Sequence, residues 1–99
     1  MSEYLFVYST LMEPNIQKAV LGRFIPGAPD ALPGYRRAPI LRGTFTYFIV
    51  VPQADSVVEG LVLEVSADEL EKCDRYEGDS CRRFRVQLQS GLEAWVYGT

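Results

Sequence analysis

Val57-Val58-Glu59-Gly60-Leu61-Val62-Leu63-Glu64-Val65 followed by Ser66-Ala67-Asp68-Glu69-Leu70-Glu71-Lys72-Cys73-Asp74-Arg75-Tyr76-Glu77-Gly78 reads as a strand running straight into a helix. The first nine residues are the strongest strand signal in the chain, and Gly60 within them marks a bulge or a close backbone approach. Ser66 is a good N-cap, and Glu69 three residues later completes a capping box. Gly78 is a natural terminator, since glycine enters a left-handed conformation at least cost. On this helix Leu70, Cys73 and Glu77 stand at i, i+3 and i+7 and share one face. At about 100° per residue, Glu77 lies only about 20° around the axis from Leu70. Either the carboxylate follows Leu70 into the interior, where a pKa raised by burial suits a base near neutral pH, or the last turn frays and Glu77 reaches solvent.

Upstream, Phe45 to Val51 reads as a strand and Pro52 to Ser56 as a turn. Residues 23–44 hold four prolines and three glycines, which predicts irregular chain with a short strand around Leu32 to Arg37. Glu3 to Tyr8 reads as the first strand and leads into the polar turn Ser9-Thr10-Leu11. Glu13 to Gly22 follows as a two-turn helix, with proline at its start and glycine past its end. Strand, turn and helix N-terminus in immediate succession direct backbone N–H groups and a positive helix end to one point, which suits a carboxylate or an oxyanion. Downstream, Arg83 to Gln89 and Glu93 to Tyr97 flank a Ser90-Gly91 hairpin turn. Five or six strands with two short helices predict an α+β fold, a small mixed β-barrel with short flanking helices, in one domain over residues 1–99.

Composition narrows the chemistry. Of 99 residues, 47% are hydrophobic and 23% charged, the balance of a soluble globular chain with a thin core, so monomer or homodimer are both open. A net charge of −3 and a pI near 4.9 argue against nucleic acid or an anionic membrane as partner. The arginines at 36, 37, 42, 82, 83 and 85 read as the solvent face of strands, with a local anion site as the lesser reading. Without a signal pattern or a bilayer-spanning apolar run, a cytoplasmic protein is expected. Cys73 and Cys81 read as small, partly buried side chains kept reduced in that compartment. The chain has no histidine, which removes Ser-His and Cys-His catalysis and His-ligated zinc; two cysteines alone make a poor metal site. A general base must then be carboxylate, lysine, tyrosine or the N-terminus, and carboxylate is the best candidate. Tyr4, Phe6, Phe48 and Trp95 read as core residues.

Three segments carry a family resemblance: Val7-Tyr8-Ser9-Thr10-Leu11, then Val58-Glu59-Gly60-Leu61-Val62 leading to Asp74-Arg75-Tyr76-Glu77-Gly78 and Arg82-Arg83, and finally Ala94-Trp95-Val96-Tyr97. In this order and spacing the chain resembles the γ-glutamylcyclotransferase-like family, which includes AIG2-like proteins and γ-glutamylamine cyclotransferases. The resemblance implies a small barrel enclosing a cavity, substrate binding by backbone groups of Tyr8, Ser9, Thr10 and Leu11, and Glu77 as catalytic base. It places Tyr47 and Cys81 as possible cavity-lining residues. The implied substrate is a small γ-glutamyl compound, cyclised to 5-oxoproline with release of an amine, and the reaction needs neither metal nor cofactor. Two positions depart from the family pattern: Ser9 stands where glycine is usual, and Cys81 where a tyrosine is common. They bear on substrate identity, and they leave a second class in view, a non-catalytic module binding a small amine-bearing metabolite.

Overall fold

The computed structural model describes residues 2–78 and 81–98, leaving aside the side chains of Arg42, Phe45 and Tyr47. Strands β1 (Ser2–Val7), β2 (Ala28–Arg42), β3 (Phe45–Ser66), β4 (Arg82–Gln87) and β5 (Glu93–Gly98) form one sheet in the order β2-β3-β1-β5-β4. Helix α1 (Pro14–Leu21) and helix α2 (Ala67–Glu77) pack against it, and a 3-10 helix (Thr10–Met12) follows β1. The sheet is mixed: β1 runs antiparallel to β3 and parallel to β5. Beyond the end of β1, β3 meets β5 directly at Val50 and Gly98, which curls the sheet into a half-barrel. Among the described residues no helix is long and apolar enough to cross a membrane.

The second half of β1, Leu5 to Val7, is buried on both faces, which explains its apolar run. Leu5 and Val7 pack with Leu63, Val65, Leu70 and Cys73 beneath the helices. Phe6 and Tyr8 pack with Leu32, Val50, Val62 and Val96. Gly60 lies beside this strand without a side chain; a Cβ there would fall 2.3 Å from the Val7 carbonyl oxygen. Of the aromatic residues expected in the core, Phe6 is buried, Phe48 and Trp95 are half-buried, and Tyr4 is exposed.

The region 23–44 departs from the expected irregular chain. Residues 28–42 of it form one fifteen-residue strand. The prolines are tolerated because β2 is an edge strand with β3 as its hydrogen-bonded neighbour, so Pro29, Pro33 and Pro39 need not donate on the open side. The expected turn at 52–56 is also absorbed into a strand. Pairing passes from Pro33–Val57 to Tyr35–Pro52, so residues 53–56 bulge opposite Gly34, and Asp55 takes a φ of 67° to make the bend.

α2 begins as its sequence predicts. Ser66 Oγ accepts from the Glu69 amide, and the Glu69 carboxylate accepts from the Ser66 amide. Arg23 closes the same carboxylate with two hydrogen bonds, of 2.7 and 2.9 Å, and holds its pKa down at about 2. A depressed carboxylate pKa gives stability that is full above the unfolded value near 4.5 and is lost as pH falls toward about 2. Arg23 is itself 57% exposed, so solvent screens the pair and its contribution is small. Arg23→Gln should therefore lower Tm modestly at pH 6, and the gap to wild type should close as pH approaches 2. Scanning calorimetry across that range tests this; a gap independent of pH would exclude the linkage.

Candidate active site

β1 stops at Val7 while β3 and β5, its neighbours on either side, continue past it. The chain leaves the sheet at Tyr8, and the slot so created is where the predicted residues gather. Met12 N donates to Ser9 O and Glu13 N to Thr10 O, both at 3.0 Å, which closes the 3-10 helix. This helix separates β1 from α1, so the backbone N–H groups at 9–11 belong to its own first turn. The N-terminus of α1 begins only at Pro14, which has no N–H to offer. The expected order of strand, turn and helix holds, with the turn itself a 3-10 helix and its N–H groups separate from the end of α1.

Gln17 fixes this turn from behind. It is fully buried; its Nε2 donates to Leu11 O at 2.8 Å and its Oε1 accepts from Ile25 N at 2.7 Å. Ser9 has a φ of −140°, so the position does not need the left-handed conformation that favours glycine. Leu11 packs into the core and also lines the slot; Ser9 and Thr10 remain half-buried.

α2 supplies the opposite wall. Leu70 and Cys73 are buried as their spacing requires, and Glu77, one turn on from Cys73, is half-buried at the helix end. Gly78 follows with a φ of 78°, its amide donating to Asp74 O. Asp74 holds the last turn in place. Its carboxylate accepts two bonds from Arg83, at 3.0 and 3.1 Å, and one from the Tyr97 hydroxyl at 2.6 Å. The Thr10 and Tyr76 hydroxyls, 2.8 Å apart, link the two walls directly.

Between them lies a cleft lined by Phe6 to Leu11, Phe48, Glu77 and Tyr97. Glu77 and the turn Tyr8-Ser9-Thr10-Leu11 thus face one space. The space is about 20 Å³, room for about one water molecule, and so much narrower than a cavity that holds a substrate. The Tyr8 hydroxyl donates to Tyr97 O at 2.6 Å. Burial, then the nearby Glu77 and Cys81, push this phenol well above its ordinary pKa, so it stays protonated. Burial, with Glu77 and Asp74, likewise pushes the Cys73 thiol up to about 12, which removes it as a nucleophile at neutral pH. Cys81 is buried but lines a neighbouring groove with Asp74, Gly78, Arg82, Arg83 and Trp95. The side chain of Tyr47 lies outside the described residues.

Sequence reasoning missed Gln17, Asp74 and Phe48. Gln17 carried a legible signal, a polar residue among Ile16, Val20 and Leu21 on the apolar stripe of α1. Asp74 stood in the quoted Asp74–Gly78 segment, but its contacts to Arg83 and Tyr97, and the place of Phe48 in the cleft, depend on how separate elements pack together.

A mixed half-barrel with one helix end and one strand end meeting at its open slot defines the γ-glutamylcyclotransferase fold class. The family model described as "Gamma-glutamyl cyclotransferase, AIG2-like" matches residues 5–99, and the chain belongs to that family. AIG2-like protein B of Arabidopsis thaliana is 34% identical over 85 residues, 85% of this chain and 48% of that protein. AIG2-like protein A of the same plant is 35% identical over 85 residues, 85% of this chain and 50% of that protein. The chain thus spans about half the length of these curated relatives. A solution structure of an Arabidopsis thaliana protein superposes with a TM-score of 0.82 at 29% identity, covering 98% of this chain and 68% of that one. A structure named Gamma-glutamyl cyclotransferase superposes at 0.81 with 14% identity, covering 100% of this chain and 67% of that one, which is likeness of fold alone.

Proposed function

We propose that this protein cyclises a γ-glutamyl amine or γ-glutamyl dipeptide to 5-oxoproline and a free amine, with Glu77 as the proton carrier. The observation that carries this reading is the single cleft shared by Glu77 and the Tyr8–Leu11 turn. In the reaction, Glu77 takes a proton from the substrate's α-ammonium. The freed amine attacks the γ-carbonyl carbon and a five-membered ring forms. The bond from that carbon to the leaving nitrogen breaks as Glu77 returns the proton to that nitrogen, and the ring nitrogen gives up its second proton through the same carboxylate, so the lactam keeps one N–H and the amine leaves as its ammonium. Backbone N–H groups of Ser9 to Leu11 hold the α-carboxylate or support the oxyanion. Both reacting groups belong to one molecule, so holding the folded conformer contributes several kcal/mol, up to about 7–11 in ideal geometry. Asp74 is a positioning residue, fixing the turn that ends in Glu77.

The narrow cleft requires the two walls to part for substrate, and the exposed Thr10–Tyr76 bond is their direct link. Ser9 adds a Cβ to the same wall. Ser9→Gly is expected to raise kcat/KM for γ-glutamyl substrates several-fold, chiefly through KM, at a stability cost of about 0.5–1 kcal/mol. Steady-state kinetics decide it; an unchanged or higher KM would remove Ser9 as the narrowing element. The second reading, a binding module for an amine-bearing metabolite, is favoured by the departures from the family pattern at Ser9 and Cys81. Following 5-oxoproline release by purified protein, in parallel with thermal shift on the same γ-glutamyl compounds, separates the two. Shifts without product support the module and sink the enzyme.

A further inference from the structure

Tyr8 lines two spaces, the Glu77 cleft and a groove of about 510 Å³ lined by Met12, Arg36, Arg37, Val58 and Glu59 among others. Arg37 is held at the boundary between the two spaces. Its Nη1 donates to Tyr8 O at 3.4 Å, and its guanidinium carbon lies 4.9 Å from the ring centroid of Phe48, which lines the cleft. An aromatic face and a backbone acceptor hold the side chain while leaving guanidinium donors for a ligand. Arg36 brings a second cation to the groove, against the one carboxylate of Glu59. Neither arginine takes part in an ion pair among the described residues, whose three pairs use Arg23, Arg83 and Arg85.

We infer that this groove takes the leaving group, and that Arg36 and Arg37 recognise a carboxylate on the amine that is released. The inference rests on the cyclotransferase reading for what occupies the cleft. During ring closure the γ-glutamyl half folds upon itself beside Glu77, and the substituent on the amide nitrogen projects away from it. In a γ-glutamyl amino acid that substituent ends in a carboxylate one carbon beyond the nitrogen. Planar guanidinium forks match a carboxylate with paired hydrogen bonds, which a neutral alkylamine cannot accept. The preferred substrates are therefore γ-glutamyl amino acids rather than γ-glutamyl alkylamines of the same shape. Because the groove is open to solvent, the preference is on the order of tenfold and weakens in high salt.

The test uses Glu77→Gln protein, which keeps the shape of the cleft, titrated calorimetrically with γ-glutamyl-L-alanine and with γ-glutamylethylamide. These ligands differ by the carboxylate alone. The dipeptide is expected to bind about tenfold tighter, with the preference narrowed by adding Arg36→Gln and erased by adding Arg36→Gln and Arg37→Gln together. Equal affinity for the two ligands, a preference that survives loss of both arginines, or binding of neither ligand overturns the assignment. Wild-type assays judge the parent reading separately. Selective binding without 5-oxoproline from wild type sinks the cyclotransferase and keeps the carboxylate subsite. Equal kcat/KM for both compounds keeps the cyclotransferase and sinks the subsite.

Discussion

Glu77→Gln is expected to lower kcat for 5-oxoproline release by about 10²–10⁴-fold, the range typical of a lost general base. Glutamine fills the same volume and keeps one carbonyl oxygen, so the cleft it shares with the Tyr8–Leu11 turn keeps its outline. What disappears is the capacity to carry a proton between the α-amine and the leaving nitrogen. KM should change little, because the carboxylate serves the transition state rather than the anchoring of ground-state substrate. Tm should stay within a few degrees of wild type. Glu77 ends α2 after the Asp74 contacts to Arg83 and Tyr97, and those remain intact. Stopped assays for 5-oxoproline, with far-UV circular dichroism as a control for folding, make the comparison. A folded variant with wild-type kcat would show that Glu77 is not the proton carrier.

Gly60→Ala is expected to produce the largest loss of stability from a single methyl group. The added Cβ would fall 2.3 Å from the Val7 carbonyl oxygen and 2.8 Å from the Phe6 ring. Neither neighbour yields easily. Val7 lies in the strand paired with Leu61, and Phe6 is 1% exposed. Overpacking of this kind costs about 1–3 kcal/mol or more, equivalent to a fall in Tm of roughly 4–20 °C for a chain of this size. The functional consequence follows from position. Val7 is the last residue of β1, so any displacement passes directly into Tyr8 and Ser9, the wall opposite Glu77. Activity should therefore fall even below the melting transition. Thermal denaturation and 5-oxoproline assays on one preparation check both; a Tm within 2 °C of wild type would mean that the strands separate at little cost.

Local signals were legible wherever one short segment contains the whole interaction. Ser66 and Glu69 form the predicted capping box because both partners lie within one turn. Pro14 and Gly22 bound α1 for the same reason. The spacing of Leu70, Cys73 and Glu77 placed a carboxylate in line with buried residues, and its half-buried position at the helix end agrees with that geometry. Proline counting misled at residues 28–42, since proline is excluded from the middle of a sheet but not from its edge. Whether a strand is central or at an edge is a property of the whole sheet.

The sequence by itself determined the elements, their caps and the residue types available for chemistry: no histidine, and a carboxylate on an apolar stripe. Only the tertiary structure decided that β1 ends between two strands that continue past it, so that its exit turn and the end of α2 face one slot. It also decided the contacts that tie Asp74 to Arg83 and Tyr97, and Arg37 to Tyr8 and Phe48. The physical reason is range. Capping and helical periodicity act over three or four residues, whereas the cleft joins residues near 8, 48, 77 and 97, which only the pairing register of the sheet brings together.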